Sequence, residues 1–184
     1  MKNFLILFFL VLSILACNTE PNFPLEQIDF DIKTLSSKQA AWASQKINDY
    51  SYEFVYETPR KKRFYVRISV ENNTVIGIEN LISDDELLLS PDYNKEMEGI
   101  INDWGTITSI YERIDSWYKS ESVKLKDKQT LMCKIEYNKE YSYPENVSYV
   151  IYTYHYSGNN VWESGKGQRP IKLALTNFQV KTAN

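Results

Sequence analysis

Between residues 50 and 70 the chain alternates with period two. Tyr50, Tyr52, Phe54 and Tyr56 fall on one side and Ser51, Glu53, Val55 and Glu57 on the other; Phe64, Val66, Ile68 and Val70 then alternate with Tyr65, Arg67 and Ser69. Successive side chains of a strand point to opposite faces, so this pattern demands a sheet with one face in a core. Pro59 ends the first strand, Glu71-Asn72-Asn73 supplies turn chemistry, and Thr74 to Glu79 follows as a third. Three strands joined this closely read as an antiparallel meander.

Helical patterns flank the meander. Ser36-Ser37 offers a helix start and Lys38 to Asn48 contains Ala40, Ala41, Trp42, Ala43 and Ile47, which predicts a first helix over 37–49. Ser83 to Asp103 mixes Asp84-Asp85-Glu86 with Leu87-Leu88-Leu89, Pro91 and Gly99 and reads as a long connection with a short helical turn. Thr106 then has the character of an N-cap, because Ile107, Ile110, Tyr111, Ile114, Trp117 and Tyr118 recur at helical spacing. The C-terminal third returns to strands at Thr130 to Tyr137, Asn146 to Tyr156 and Ile171 to Val180, with Gly158 to Pro170 as a loop. Parallel pairs would need crossovers that this order lacks. The expected fold is α+β: an antiparallel sheet of about six strands in the order helix, three strands, helix, three strands, with the helices packed on one face.

The N-terminus carries an address. Lys2, an apolar run from Phe4 to Leu12, and Ser13-Ile14-Leu15-Ala16 before Cys17 have the form of a secretory signal peptide ending in a lipobox. The run is too short for the roughly 20 residues that a membrane span needs. Residues 1–16 are therefore expected to be removed and Cys17 to receive the lipid. Residues 17–35, with the polar, proline-bearing Asn18 to Pro24, would form a lipidated tether, leaving 36–184 as a single domain. This places the protein in the cell envelope, anchored to a membrane outside the cytoplasm.

Little in the sequence carries chemistry. Once Cys17 is lipidated, Cys133 has no partner for a disulfide or thiolate site, and its spacing with Leu131, Ile135 and Tyr137 reads as a buried thiol. The single histidine, His155, lies in an aromatic strand, and no spacing pairs it with Cys133. Asp84-Asp85-Glu86 lacks the alternation and glycine of a calcium loop, and Gly165-Lys166-Gly167 lacks phosphate-loop spacing. The basic cluster Arg60-Lys61-Lys62-Arg63 joins two strands as a solvated turn, and a net charge of -3 does not suggest a nucleic-acid partner. No catalytic residue, cofactor or metal site is expected, and the chain reads as a non-enzyme.

One resemblance stands out. Trp42 in the first helix, Tyr50-Ser51-Tyr52-Glu53-Phe54 opening the first strand, and Tyr137-Asn138-Lys139-Glu140-Tyr141-Ser142-Tyr143-Pro144 resemble motifs of an uncharacterised family of small bacterial envelope lipoproteins, a domain of unknown function. That family's hairpin reads Tyr-Asp-x-x-Tyr-Gly-Tyr-Pro; Asn138 and Ser142 stand at its Asp and Gly, which suggests a different turn geometry. The resemblance covers most of residues 36–156 and implies a fold and an envelope location without an activity.

Tyrosine is the remaining anomaly: 14 in the chain, nine of them between Tyr111 and Tyr156, with Trp162 just beyond. Strands favour aromatics, which accounts for part of this excess. Tyrosine also suits binding faces, giving contact area at low entropic cost with a hydroxyl that tolerates water. Two functions follow. The first is a non-catalytic protein-interaction or accessory module meeting an envelope partner. The second is a periplasmic binder of a small molecule or glycan, with Tyr141, Tyr143, Tyr154 and Trp162 as the interaction surface.

Overall fold

A computed structural model describes residues 28–57, 63–82, 92–158, 161–165 and 167–181. The expected signal peptide, Cys17, the expected tether up to residue 27, Arg60 to Lys62 and the acidic run at 84–86 lie outside these residues. In chain order the elements are β1 (Ile28–Asp29), α1 (Ile32–Ser44), β2 (Tyr50–Glu57), β3 (Arg63–Glu71), β4 (Thr74–Asn80), α2 (Tyr93–Trp104), α3 (Ile107–Ser122), β5 (Gln129–Tyr137), β6 (Pro144–Gly158), β7 (Val161–Ser164) and β8 (Gln168–Val180). The strands form one eight-stranded sheet in the order β1-β5-β6-β8-β2-β3-β4, with β7 paired to β6.

The class is α+β and the sheet is mostly antiparallel, but it has more than six strands and the element order differs from the expected one. Strand β1 runs parallel to β5, Ile28 opposite Leu131, so the folded body begins before residue 36. Helix α1 starts five residues earlier than expected because Asp31 caps it: the carboxylate accepts from the Thr34 amide at 3.0 Å and the Thr34 hydroxyl at 2.6 Å. The connection expected up to Asp103 contains α2, whose Tyr93, Met97, Ile101 and Trp104 share a face. The loop expected over Gly158 to Pro170 instead contributes β7 and the start of β8.

All three helices lie on one face of the sheet. Tyr50, Tyr52, Phe54 and Tyr56 of β2, with Phe64, Val66, Ile68 and Val70 of β3, are buried there against Leu35 and Trp42 of α1, Ile101 and Trp104 of α2, and Ile107, Ile110, Tyr111 and Ile114 of α3. Each fully buried side chain of this size contributes about 1.5–3 kcal/mol of transfer free energy, so this face carries the stability of the fold. Trp104 meets Trp117 edge-on at 5.4 Å, and Trp117 stacks on Tyr149 at 4.1 Å, fastening α2 and α3 to β6. Gly105 lets α2 pass into α3 closely, since a Cβ there would stand 2.4 Å from the Ile101 carbonyl oxygen and 2.9 Å from Val75 Cγ2. A further irregularity re-aims β8. Asn177 takes a positive φ of 51° where the β2–β8 register shifts, and the extra residue turns Phe178 onto the helix side. There Phe178 packs on Tyr143 at 4.6 Å, Tyr141 at 5.3 Å, Tyr50 at 5.5 Å and Trp42 at 5.9 Å.

Helix α3 begins at a double cap. Thr106 Oγ1 accepts from the Ser109 amide at 3.0 Å while Ser109 Oγ accepts from the Thr106 amide at 2.9 Å. The Ile107 amide, one of the donors that a helix start leaves without an intrahelical partner, donates to the Tyr50 hydroxyl at 3.0 Å. Tyr52 next to it is equally buried, but its hydroxyl has no hydrogen-bond partner among the described residues. Tyr50→Phe is expected to lower stability by about 1–3 kcal/mol by orphaning a buried donor, and Tyr52→Phe to leave stability unchanged or raise it. Urea denaturation measures both; a Tyr50→Phe midpoint equal to the parent's would refute the role of that hydroxyl.

Candidate functional site

Among the described residues no helix lies over the second face of the sheet, and the registers arrange its side chains in rows. Lys134 of β5 stands opposite Ser148 of β6, Ser148 opposite Lys172 of β8, Lys172 opposite Glu57 of β2, and Glu57 opposite Arg63 of β3. The neighbouring row runs Glu136, Asn146, Ala174, Val55 and Tyr65. Between the rows lies a concavity of about 410 Å³, with Val55 and Ala174 among its apolar lining and Lys134, Lys172, Arg63, Glu57 and Glu136 among its charged lining.

A third row holds a charged network. Glu53, buried although it is an acid, accepts from the Tyr65 hydroxyl at 2.7 Å and from Arg67 Nη2 at 3.1 Å, while Arg67 Nη1 donates to Glu79 at 2.7 Å. The Tyr65 hydroxyl first, and then Arg67, hold the Glu53 carboxyl below the usual carboxylate range. A carboxyl with a lowered folded pKa stabilises the fold fully above its unfolded value, near 4.3, and that contribution disappears as pH falls through the folded value. Glu53→Gln is therefore expected to flatten the loss of thermal stability below about pH 4. An acid limb of Tm against pH that is unchanged in the variant would exclude this role.

The four aromatic residues read from the sequence as one surface fall at two separate places. Tyr143 is buried in the Trp42–Phe178 cluster, and Tyr141, half-buried beside it, is held by Gln45 Nε2 donating to its carbonyl at 2.7 Å. Their hairpin is closed by Asn138, whose side-chain oxygen accepts from the amides of Glu140 at 3.0 Å and Tyr141 at 2.7 Å, and by the Tyr111 hydroxyl donating to the Ser142 carbonyl. Ser142 itself adopts φ 62°, the left-handed conformation that glycine favours, so serine at this position does not remove that conformation from the turn. Tyr154 and Trp162 lie more than about 30 Å along β6 from this hairpin, at roughly 3.3 Å per residue. Trp162 stands opposite Tyr156 at 5.5 Å, Tyr154 lies 6.4 Å from Tyr152, and Lys128 Nζ sits 5.3 Å from the Trp162 ring centre. All four of these rings are half-buried; Tyr152, Tyr154 and Tyr156 are on the alternation of β6 that also carries Asn146 and Ser148, and Trp162 stands opposite Tyr156 on β7.

From the sequence, Tyr152, Tyr156, Lys134 and Lys172 are assigned to no surface and Arg63 to a solvated turn, whereas Arg63 opens β3 and lines the concavity. The even-numbered alternation from Asn146 to Tyr156 was visible, but which parity faced the helices was not.

Other reactive groups stand apart. His155 is exposed, its Nε2 3.8 Å from a Glu163 carboxylate oxygen across the β6–β7 hairpin. Cys133 is buried opposite Tyr149, six residues from His155 along β6, or about 20 Å of strand. The two form no nucleophile–base pair. Burial pushes the Cys133 thiol up to about 12, which keeps it protonated at neutral pH. Cys133 is expected to react with a maleimide only after the protein is unfolded, as mass spectrometry before and after denaturant would record; rapid labelling of the native protein would contradict this burial.

Among the described residues, no three of His, Cys, Asp and Glu come together as a metal site would require, and no helix is long and apolar enough to cross a membrane. Comparison with models of protein families, with curated proteins and with solved structures gives no significant match for this chain.

Proposed function

We propose that this protein is a lipid-anchored, non-catalytic binding module of the bacterial cell envelope. It belongs with the lipoproteins it resembles, is held to the membrane through Cys17, and receives a partner protein on the uncovered face of its sheet. The observation that carries this reading is the half-buried aromatic stripe of Tyr152, Tyr154 and Tyr156, on the same alternation of β6 that leads to the concavity, with Trp162 of β7 beside Tyr156. Rigid aromatic side chains on a strand platform supply the anchors that dominate protein interfaces. The separated reactive groups favour binding over catalysis, because Cys133 and His155 share no cleft.

The aromatic surface therefore differs from the one read in the sequence. Tyr154 and Trp162 remain in it with Tyr152 and Tyr156 added, while Tyr141 and Tyr143 serve the core. A glycan site built by stacking on Tyr141, Tyr143, Tyr154 and Trp162 together is not supported, since these side chains do not converge.

The Cys17-anchored protein, used as bait in native membranes, is expected to retain a specific partner. A Tyr154→Ala, Tyr156→Ala, Trp162→Ala variant should retain at least about tenfold less, since each hot-spot truncation costs about 2 kcal/mol or more. Tyr141→Ala is the control and should retain the partner as the parent does. Equal capture by the triple variant, or no specific capture at all, would defeat the proposal.

A further inference from the structure

Resting on the reading that the uncovered sheet face is the binding face, we propose that the concavity between β5 and β3 is a separate site for a small organic acid: a carboxylate carried on a short apolar body. Its size is the first argument. About 410 Å³ lies in the range of small-ligand pockets, and is too small for a protein element.

Charge is the second argument. The lining holds three cations, Lys134, Lys172 and Arg63, against two carboxylates, Glu57 and Glu136, so the concavity is locally positive on a chain whose net charge is -3. Glu57 is flanked in its row by Lys172 on one side and Arg63 on the other, and Glu136 accepts from Asn146 Nδ2 at 2.8 Å. On the β5 side the row reads Lys134, Ser148, Lys172, a hydroxyl between two ammonium groups with no acid in between. With strands about 4.8 Å apart, the two lysine backbones are about 10 Å from each other. That spacing lets two flexible ammonium groups converge over the serine hydroxyl and offer an oxyanion charge-assisted hydrogen bonds from both sides.

Shape and polarity supply the rest. Val55 and Ala174 stand in the next row of the same lining and offer a short apolar floor beside the cationic row. A neutral alcohol would forgo the charge-assisted bonds, and an alkylammonium would meet repulsion.

Equilibrium dialysis of radiolabelled hexanoate against the full lipidated chain in lipid nanodiscs, with empty nanodiscs as blank, tests the site. Saturable binding of hexanoate is expected, at least about tenfold weaker in Lys134→Gln/Lys172→Gln, with no saturable binding of 1-hexanol or hexylamine. Both lysines are exposed on the sheet face, so the variant keeps the core, and its unfolding midpoint checks this. Absence of saturable hexanoate binding, binding indifferent to the two lysines, or equal binding of hexanol would overturn the proposal. The outcome separates from that of partner capture. If hexanoate fails while capture still depends on Tyr154, Tyr156 and Trp162, only the acid site falls; if both fail, the binding face itself is refuted.

Discussion

The contact on which the architecture depends most is the Tyr50 side chain. Its ring lies against Trp42 of α1 at 5.6 Å and Phe178 of β8 at 5.5 Å, and its hydroxyl accepts the Ile107 amide that opens α3. One residue on β2 thereby fixes the positions of two helices and a neighbouring strand. An amide at a buried helix start needs an acceptor, and only a side chain as long as tyrosine reaches it from the strand while keeping its ring in the core. The tyrosine excess is largely a core property: Tyr50, Tyr52, Tyr56, Tyr111, Tyr143 and Tyr149 are all buried in the cluster between sheet and helices. With the aromatics of the helix side committed to packing, the opposite side carries ions and hydroxyls, together with the stripe at the far end of β6.

Much of the fold could be read in advance, and the reasons differ element by element. The meander of β2, β3 and β4 was legible because one face is buried and the other solvated, which writes a clean alternation. The turn at Asn72 and Asn73 bears this out, with φ of 49° and 57°. Helix α3 was legible because its cap and its stripe agree. Helix α2 was missed because Gly99 and charged residues dilute its stripe, and because Pro91 and the acidic run before it suggested a connection. The start of α1 was misread because Asp31 lies before the first apolar position and Ser36-Ser37 imitates a cap. Strand β1 is two residues long, below what any periodicity can reveal.

The candidate site was less legible than the fold. Alternation identifies which residues share a face, but not which face the helices will cover, and that choice alone separates Tyr143 in the core from Tyr154 on the sheet's other side. The row Lys134, Ser148, Lys172, Glu57 and Arg63 draws on five strands whose registers depend on β8 lying between β6 and β2. No local pattern announces that the last strand of the chain occupies the middle of the sheet.

That placement has a bearing on how the molecule is made. The β2–β3–β4 meander and the β5–β6–β7 unit are each local in sequence, yet nothing joins them into one sheet until β8, residues Gln168–Val180, slides between them. Strand pairings between distant parts of a chain form late and slowly. Until β8 is available the two units would stay separate, each with an unpaired strand edge open to chaperones and proteases.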